Sequence, residues 1–314
     1  MKVVFCGSGS FAVPSLKALL ASAHEVVGII TQPARPAGRG GHLRPTPVTQ
    51  AAEEAGRQAI QCPDINSLEG VETVAGLGGE VIAVADFGQL IRRPVRKLPP
   101  AGAFNLHASL LPELRGAAPI NWAIIRGYKT TGVTSFRLVA QMDAGDIYLQ
   151  QAAPIDPAET AEELRSRLAE IGAAVMVQTV DLLAGGQARP RKQDESKATL
   201  APLLSKSDGL LDWSADAETI RNRVHGTWPW PGARTCLRRG DGREVDVLLA
   251  RARVADGPAR GPAGQIDGEG AVATGSGRLR ILEIQPAGKR VMTWRDFVNG
   301  YRAKEGEAFI SVGR

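Results

Sequence analysis

Short apolar runs alternating with helical patterns occupy the first half of the chain and restrict its fold more than any other feature. KVVF, EVVGIIT, EVIAVAD and AFNLH are rich in Val, Ile and Phe and read as strands. Between the first two, FAVPSLKALLAS places apolar side chains at 11, 13, 16, 19 and 20, a helical spacing. Its Pro14 falls in the first turn, where a missing N–H breaks no bond. VTQAAEEAG and APINWAIIRG read as further helices. Strands joined by crossover helices pair in parallel with both faces covered, so an α/β domain is expected.

Residues 133–139 and 147–155 look like two more strands. Glu159 to Leu183 then reads as one long helix, with Thr160 as cap, Glu163 three residues later and Gly185-Gly186 at its end. QARPRKQDESKATLAPLLSKS, residues 187–207, lacks a sustained period and is expected to be a linker. The expected domains are therefore 1–186 and 208–314, and 314 residues suit two. The second begins with a helix near 217–224 and continues as short strands separated by Gly and Pro, which suits a small β-barrel or sandwich.

Hydrophobic content of 43% with 23% charged residues fits a globular protein and argues against disorder. No apolar run approaches the ~18 residues of a membrane span, and MKVVFCGSG lacks the apolar region of a signal peptide. Cys6, Cys62 and Cys236 are scattered, without metal or disulfide spacing. A reducing cytoplasm with no structural metal is the expectation. The net charge of +5 suits an anionic partner without requiring one.

GSGSFA at 7–12 matches a dinucleotide-binding turn. The second strand, however, ends in Thr31 and Gln32, where such a site places an acid on the ribose. A tight βα turn is the preferred reading. The segment 32–47, QPARPAGRGGHLRPTP, holds three arginines and no acid. Loops this long inside compact domains are usually functional or disordered. Arg35, Arg39 and Arg44 suit phosphate contacts, and a solvated surface loop has the same composition.

Alternation through Ala103-Phe104-Asn105-Leu106-His107 puts Phe104 and Leu106 on one face, and Asn105 and His107 on the other. Ligands of open α/β sheets bind beyond the carboxyl ends of strands. An Asn amide there donates to an oxygen gaining charge, and a His moves protons near neutral pH. Asp143, in QMDAGDI before a tight turn, completes a donor, a proton carrier and an orienting carboxylate if the three converge. An aspartate capping its own turn explains the same residue.

The run N-x-H-x-S-L-L-P from Asn105 to Pro112, then R-G-A-A-P and the D-x-G-D turn at Asp143, resembles the 10-formyltetrahydrofolate-dependent formyltransferases. Within that family the match is closest to the branch acting on methionyl-tRNA. VVFCGSGSFAVPSL, TQPARPAGRG, SKSDGLLDW, WPWPGA and LEIQPAGKR resemble the same branch, in order and over nearly the whole length. The resemblance implies a Rossmann-like formyltransferase domain, a linker and an OB-like β-barrel that binds tRNA. It implies Asn105, His107 and Asp143 as the catalytic set. Ser109, Leu110, Leu111 and Pro112, with Phe87 and Gly88, fall in the implied folate site, and the Arg39 loop in the segment facing the tRNA acceptor stem. Two departures stand out. Many members double the acidic turn, so Asp143 matches the second aspartate, and an A-Y-G is replaced here by Asp86-Phe87-Gly88.

The implied reaction is direct formyl transfer from 10-formyltetrahydrofolate to the amine of initiator methionyl-tRNA, by a cytoplasmic enzyme of which nothing demands more than a monomer. No covalent nucleophile or metal cluster is called for. A formyltransferase acting on a sugar nucleotide or glycinamide ribonucleotide is the alternative within the chemistry. A non-catalytic RNA-binding protein is the alternative outside it. From Asp208 onward there are 17 Lys and Arg against 14 Asp and Glu, too even a balance to demand nucleic acid.

Overall fold

The structure is a computed structural model and describes residues 1–37 and 42–311. Contacts divide the chain into two compact units. One holds residues 1–116, 131–153 and 165–201; the other holds 117–130, 154–164 and 202–314. The boundary after Ala201 lies inside the stretch 187–207, most of which is built into the first unit. The excursions at 117–130 and 154–164 have no signal in the sequence. The first becomes helical at Pro119–Ile125, where Asn121 donates through its side-chain amide to the carbonyl of Gly226 at 2.8 Å.

The first unit is built on β1 (Lys2–Gly7), β2 (Glu25–Thr31), β3 (Arg35–Ala37), β4 (His42–Arg44), β5 (Ile60–Gln61), β6 (Val81–Ala85), β7 (Ala103–His107), β8 (Thr130–Arg137) and β9 (Ile147–Pro154). Seven of these form one sheet in the order β5-β2-β1-β6-β7-β8-β9, and β3 and β4 make a separate hairpin. Pairing from β5 to β7 is parallel, and β8 runs antiparallel to β7. Its helices are α1 (Val13–Leu20), α2 (Pro47–Glu54), α3 (Leu68–Gly76), α4 (Arg93–Arg96) and, from residue 165 on, α6 (Ala161–Ala184); α5 (Pro119–Ile125), which precedes α6 in the chain, belongs to the second unit. On one face of the sheet Val4, Cys6, Ile82, Val84 and Ala103 pack with Val74 of α3 and Val95 of α4. Burying a side chain of this kind stabilises by about 1.5–3 kcal/mol. By strand alternation, Asn105 and His107 prolong this face past the apolar cluster. Phe104 and Leu106 are buried on the other.

The reciprocal cap of α6 forms as the sequence implies. The Glu163 carboxylate accepts from the Thr160 N–H at 2.8 Å, and the Thr160 hydroxyl accepts from the Glu163 N–H at 3.4 Å.

The second unit carries α7 (Ala217–Thr227), β10 (Ala233–Arg238), β11 (Glu244–Ala255), β12 (Val272–Ala273), β13 (Arg278–Pro286), β14 (Met292–Thr293), α8 (Trp294–Tyr301) and β15 (Ala308–Ile310). All its strand pairs are antiparallel, in the order β12-β13-β11-β10-β15, with β14 on β13. Gln265 and Ile266 bridge to β15 and β12 and bring the two edges nearly together, so the sheet is an almost closed barrel. Its interior is filled by Leu237, Val247, Leu249, Ile281, Ile284 and Phe309, among others. Trp213 stacks on Phe309 at 5.5 Å between ring centroids. Among the described residues no helix is long and apolar enough to cross a membrane.

Candidate active site

Asn105 and His107 stand at the carboxyl end of β7, paired with Phe136 and Thr134 of β8. His107 is buried, its ring set edge-on to Phe136 at 6.4 Å. Its Nε2 lies 3.0 Å from the Leu114 carbonyl. A carbonyl only accepts, so Nε2 carries the hydrogen and, in the neutral ring, Nδ1 carries the lone pair. On that side stands the Asp143 carboxylate, with Oδ2 at 3.8 Å from Nδ1. A proton arriving at Nδ1 therefore meets a carboxylate already in place. Asn105 is half-buried, and among the described residues its side-chain amide has no hydrogen-bond partner.

The carboxylate of Asp143 is itself held: Oδ2 accepts the Gly116 N–H at 2.8 Å. Asp143 has φ 51, the left-handed region that L-residues enter at a cost, so its placement depends on surrounding bonds. Gly116 has φ +124, and a Cβ there would come within 2.6 Å of the Ala201 carbonyl oxygen. Only glycine fits this approach. The adjoining backbone is stitched to the stretch expected to be a linker. Arg115 N–H donates to Thr199 at 2.8 Å, and Ala201 N–H donates to Arg115 at 2.7 Å. Leu114 N–H bonds the Thr199 hydroxyl at 2.9 Å. The carbonyl that orients His107 is thus fixed by residues 85 positions away.

The residues of the implied folate site divide. Leu110 and Pro112 are half-buried and Gly88 is exposed, so each offers surface. Ser109, Leu111 and Phe87 are buried. Ser109 bonds the Glu113 carbonyl through its hydroxyl, the Leu111 N–H bonds Thr134, and Phe87 belongs to the apolar cluster under the sheet. These three build the wall rather than present side chains.

The glycine-rich turn after β1 spends its donors internally: Ser8 and Gly9 N–H groups bond the Asp86 carbonyl at 3.0 and 3.1 Å. A Cβ at Gly9 would overlap the Asp86 carboxylate, so an acid lies where a dinucleotide phosphate needs free N–H groups. Asp86 also lies 3.9 Å from Arg165, with both half exposed, so it serves an ion pair at the mouth of the turn.

Arg35 and Arg44 face each other across the β3–β4 hairpin, both exposed. Like charges directly opposite destabilise a ladder. Arg35 also donates to Gln32. Arg39 falls within 38–41, outside the described residues. The hairpin was not legible because prolines and glycines mask any alternation. The Leu114 carbonyl and Gly116 N–H were missed because backbone groups leave no side-chain signal. The Arg115-Gly116 pair is their only mark in the sequence.

The carboxyl end of β7 thus carries an amide donor on the same strand face as an imidazole backed by a carboxylate, an arrangement suited to polarising a carbonyl and moving a proton, as in a group-transfer enzyme. Residues 1–180 match the model of the formyl transferase family and residues 203–302 that of its C-terminal domain, and the chain belongs to this family. It is 43% identical over 311 residues to the methionyl-tRNA formyltransferase of Moorella thermoacetica, spanning 98% of each chain. It is 42% identical over 307 residues to that of Solibacter usitatus, again over 98% of each. Among solved structures, the N-formyltransferase of Helicobacter canadensis, in complex with folinic acid and dTDP-3-aminofucose, has TM-score 0.67 at 14% identity, over 91% of this chain and 99% of that one. The sugar 3N-formyl transferase WlaRD has TM-score 0.64 at 15% identity, covering 92% and 99%. At such identities these two speak for the fold alone.

Proposed function

We propose that this chain transfers a formyl group from 10-formyltetrahydrofolate to the α-amino group of initiator methionyl-tRNA, giving N-formylmethionyl-tRNA for translation initiation. The observation that carries the chemistry is the His107 ring held between the Leu114 carbonyl and the Asp143 carboxylate, with the Asn105 amide unengaged on the same strand face. Identity of about two residues in five along nearly the full length of methionyl-tRNA formyltransferases supports the acceptor.

The folate supplies an activated formyl carbonyl. Asn105 donates its amide N–H to that oxygen as charge gathers on it; losing a single donor of this kind raises the barrier by about 2.7–4 kcal/mol. The attacking amine must be neutral, and a free α-amino group titrates near ~7.7–8.0, so a neutral fraction exists at pH 7. His107 takes the proton at Nδ1 and passes it to the departing nitrogen, a role worth about 10²–10⁴-fold. Asp143 stabilises the ring while it is charged. Leu110, Pro112 and Gly88 offer the apolar and backbone surface for the folate, with Ser109, Leu111 and Phe87 behind them. Arg35 and Arg44, with Arg39 between them in sequence, contact acceptor-stem phosphates, and the barrel domain from Asp208 onward adds a further tRNA surface. The enzyme works as a cytoplasmic monomer and uses no metal.

An assay with 10-formyltetrahydrofolate and three acceptors tests the reading. Charged initiator tRNA should be formylated with the highest kcat/KM, and a sugar nucleotide and glycinamide ribonucleotide should be poor acceptors. Either small acceptor outperforming the tRNA would overturn it.

A further inference from the structure

We propose that Gln193 is a positioning residue for this reaction, acting through the turn that carries Asp143. The inference rests on the assignment of Asp143 and His107 given above. Gln193 lies in the aperiodic stretch 187–207, and no chemistry attaches to it in the sequence. In the structure its side-chain amide is fully engaged. Nε2 donates to the carbonyl oxygens of Asp143 and Gly145, both at 2.7 Å. Oε1 accepts from Arg115, from Nε at 3.1 Å and Nη2 at 2.7 Å.

The chemistry of the partners fixes the direction of this amide. A guanidinium only donates and a carbonyl only accepts, so the amide oxygen must face Arg115 and the NH₂ must face the turn. A flipped amide would set donor against donor and acceptor against acceptors. Arg115 is buried and is anchored from its far side by Glu195, whose two oxygens accept from Nη1 at 2.9 Å and Nη2 at 2.8 Å. The bidentate pair gives the guanidinium a fixed plane.

The turn is therefore tied at two places to the same pair of residues. Gln193, seated on the Arg115 side chain, holds the carbonyls at Asp143 and Gly145. The N–H of Gly116, next in sequence, holds the Asp143 carboxylate at 2.8 Å. Between the two ties Asp143 keeps φ 51 and its Oδ2 stands 3.8 Å from His107 Nδ1. Loss of the Gln193 clamp leaves the carboxylate a single tie, in a backbone conformation it does not favour. A displacement of about 1 Å in such a site costs up to 10²-fold in rate. Gln193 touches no reacting atom, so its contribution appears only while the Asp143 carboxylate has work to do.

The test is a double-mutant comparison in the full-length enzyme, with kcat, KM for each substrate and thermal midpoint measured for each variant. Gln193→Leu, and Gln193→Asn as a shorter amide at the same half-buried position, should lower kcat by about 10-fold or more. Both KM values should stay within about twofold and the thermal midpoint should hold. In an Asp143→Asn background the same Gln193 substitutions should cost less than about threefold, since coupled residues are not additive. An equal loss in both backgrounds, or a loss confined to KM, or one that follows a fall in thermal midpoint, overturns the role of Gln193 and leaves the site assignment standing. Full activity of Asp143→Asn alone overturns the site assignment and the role of Gln193 with it.

Discussion

At the scale of single residues, the account turns on which groups are engaged and which are left open. His107 has its Nε2–H committed to the Leu114 carbonyl, which orients the ring independently of Asp143, and in the proposed mechanism Asp143 serves the charge on the ring instead. Asn105→Ala and Asp143→Ala should therefore each lose at least about a hundredfold in turnover while remaining folded, as comparable donors and proton-transfer partners do. Turnover near that of the unaltered enzyme in either purified variant, with a normal circular dichroism spectrum, would refute the assignment. Asn105 and His107 were legible in the sequence because period-2 alternation fixes their common face. Asp143 was legible as a residue but not as a neighbour, since no spacing rule reports that a turn 36 positions after His107 returns to within 3.8 Å of it. The glycine-rich motif reads in the sequence as a tight βα turn because no acid ends the second strand, but its partner is not legible there. Its donors point at the Asp86 carbonyl, a long-range bond that the pattern itself does not encode.

At the scale of elements, the two segments without periodicity carry more order than their composition suggests. The stretch 187–201 has no hydrophobic rhythm because its bonds are to the loop Pro112–Gly116 and to the Asp143 turn, not to a core. The β3–β4 hairpin sets Arg35 opposite Arg44. If each meets a phosphate, replacing both with Gln should lower the salt slope of tRNA binding by about 0.7–0.9 per contact removed. An unchanged slope would count against phosphate contacts by the hairpin. In α7, His225 is buried and accepts the Ala252 N–H on Nε2 at 3.1 Å. Burial, with Arg251 and Arg221 nearby, lowers its pKa to about 4. Between pH 6.5 and 4 the unfolded chain binds a proton that the folded chain refuses. This contribution is thus fully present above pH 6.5 and is lost as pH falls towards 4. It amounts to at most on the order of 3 kcal/mol. Glu163, which burial raises but its bonds to Arg251 and the Thr160 cap bring down to about 2, keeps its contribution above pH 4.5 and loses it as pH falls from 4.5 towards 2. Urea unfolding followed by tryptophan fluorescence suits the test, because four of the five tryptophans lie after Asp208. The midpoint should drop steadily from pH 7 to 4.5, and His225→Gln should flatten that drop. A midpoint independent of pH in both proteins would exclude this role.

At the scale of the whole molecule, the division into an α/β part and a β-rich part was legible because the hydrophobic period changes near Asp208. The assignment of 117–130 and 154–164 to the second unit was not, since both follow ordinary α/β patterns and are drawn away by contacts remote in sequence. The barrel's near closure through Gln265 and Ile266 likewise rests on isolated bridges that no strand pattern announces. The formyl transferase family models match both parts, residues 1–180 and 203–302, and the proposed function gives the barrel domain a tRNA surface. In the proposed mechanism the enzyme moves one formyl group onto one amine using an imidazole backed by a carboxylate. The most direct measurement is the single-turnover rate of N-formylmethionyl-tRNA formation from saturating 10-formyltetrahydrofolate by the enzyme with His107→Ala. The account predicts a rate at least about 100-fold below that of the unaltered enzyme, with both substrates still bound. An unchanged rate would contradict it.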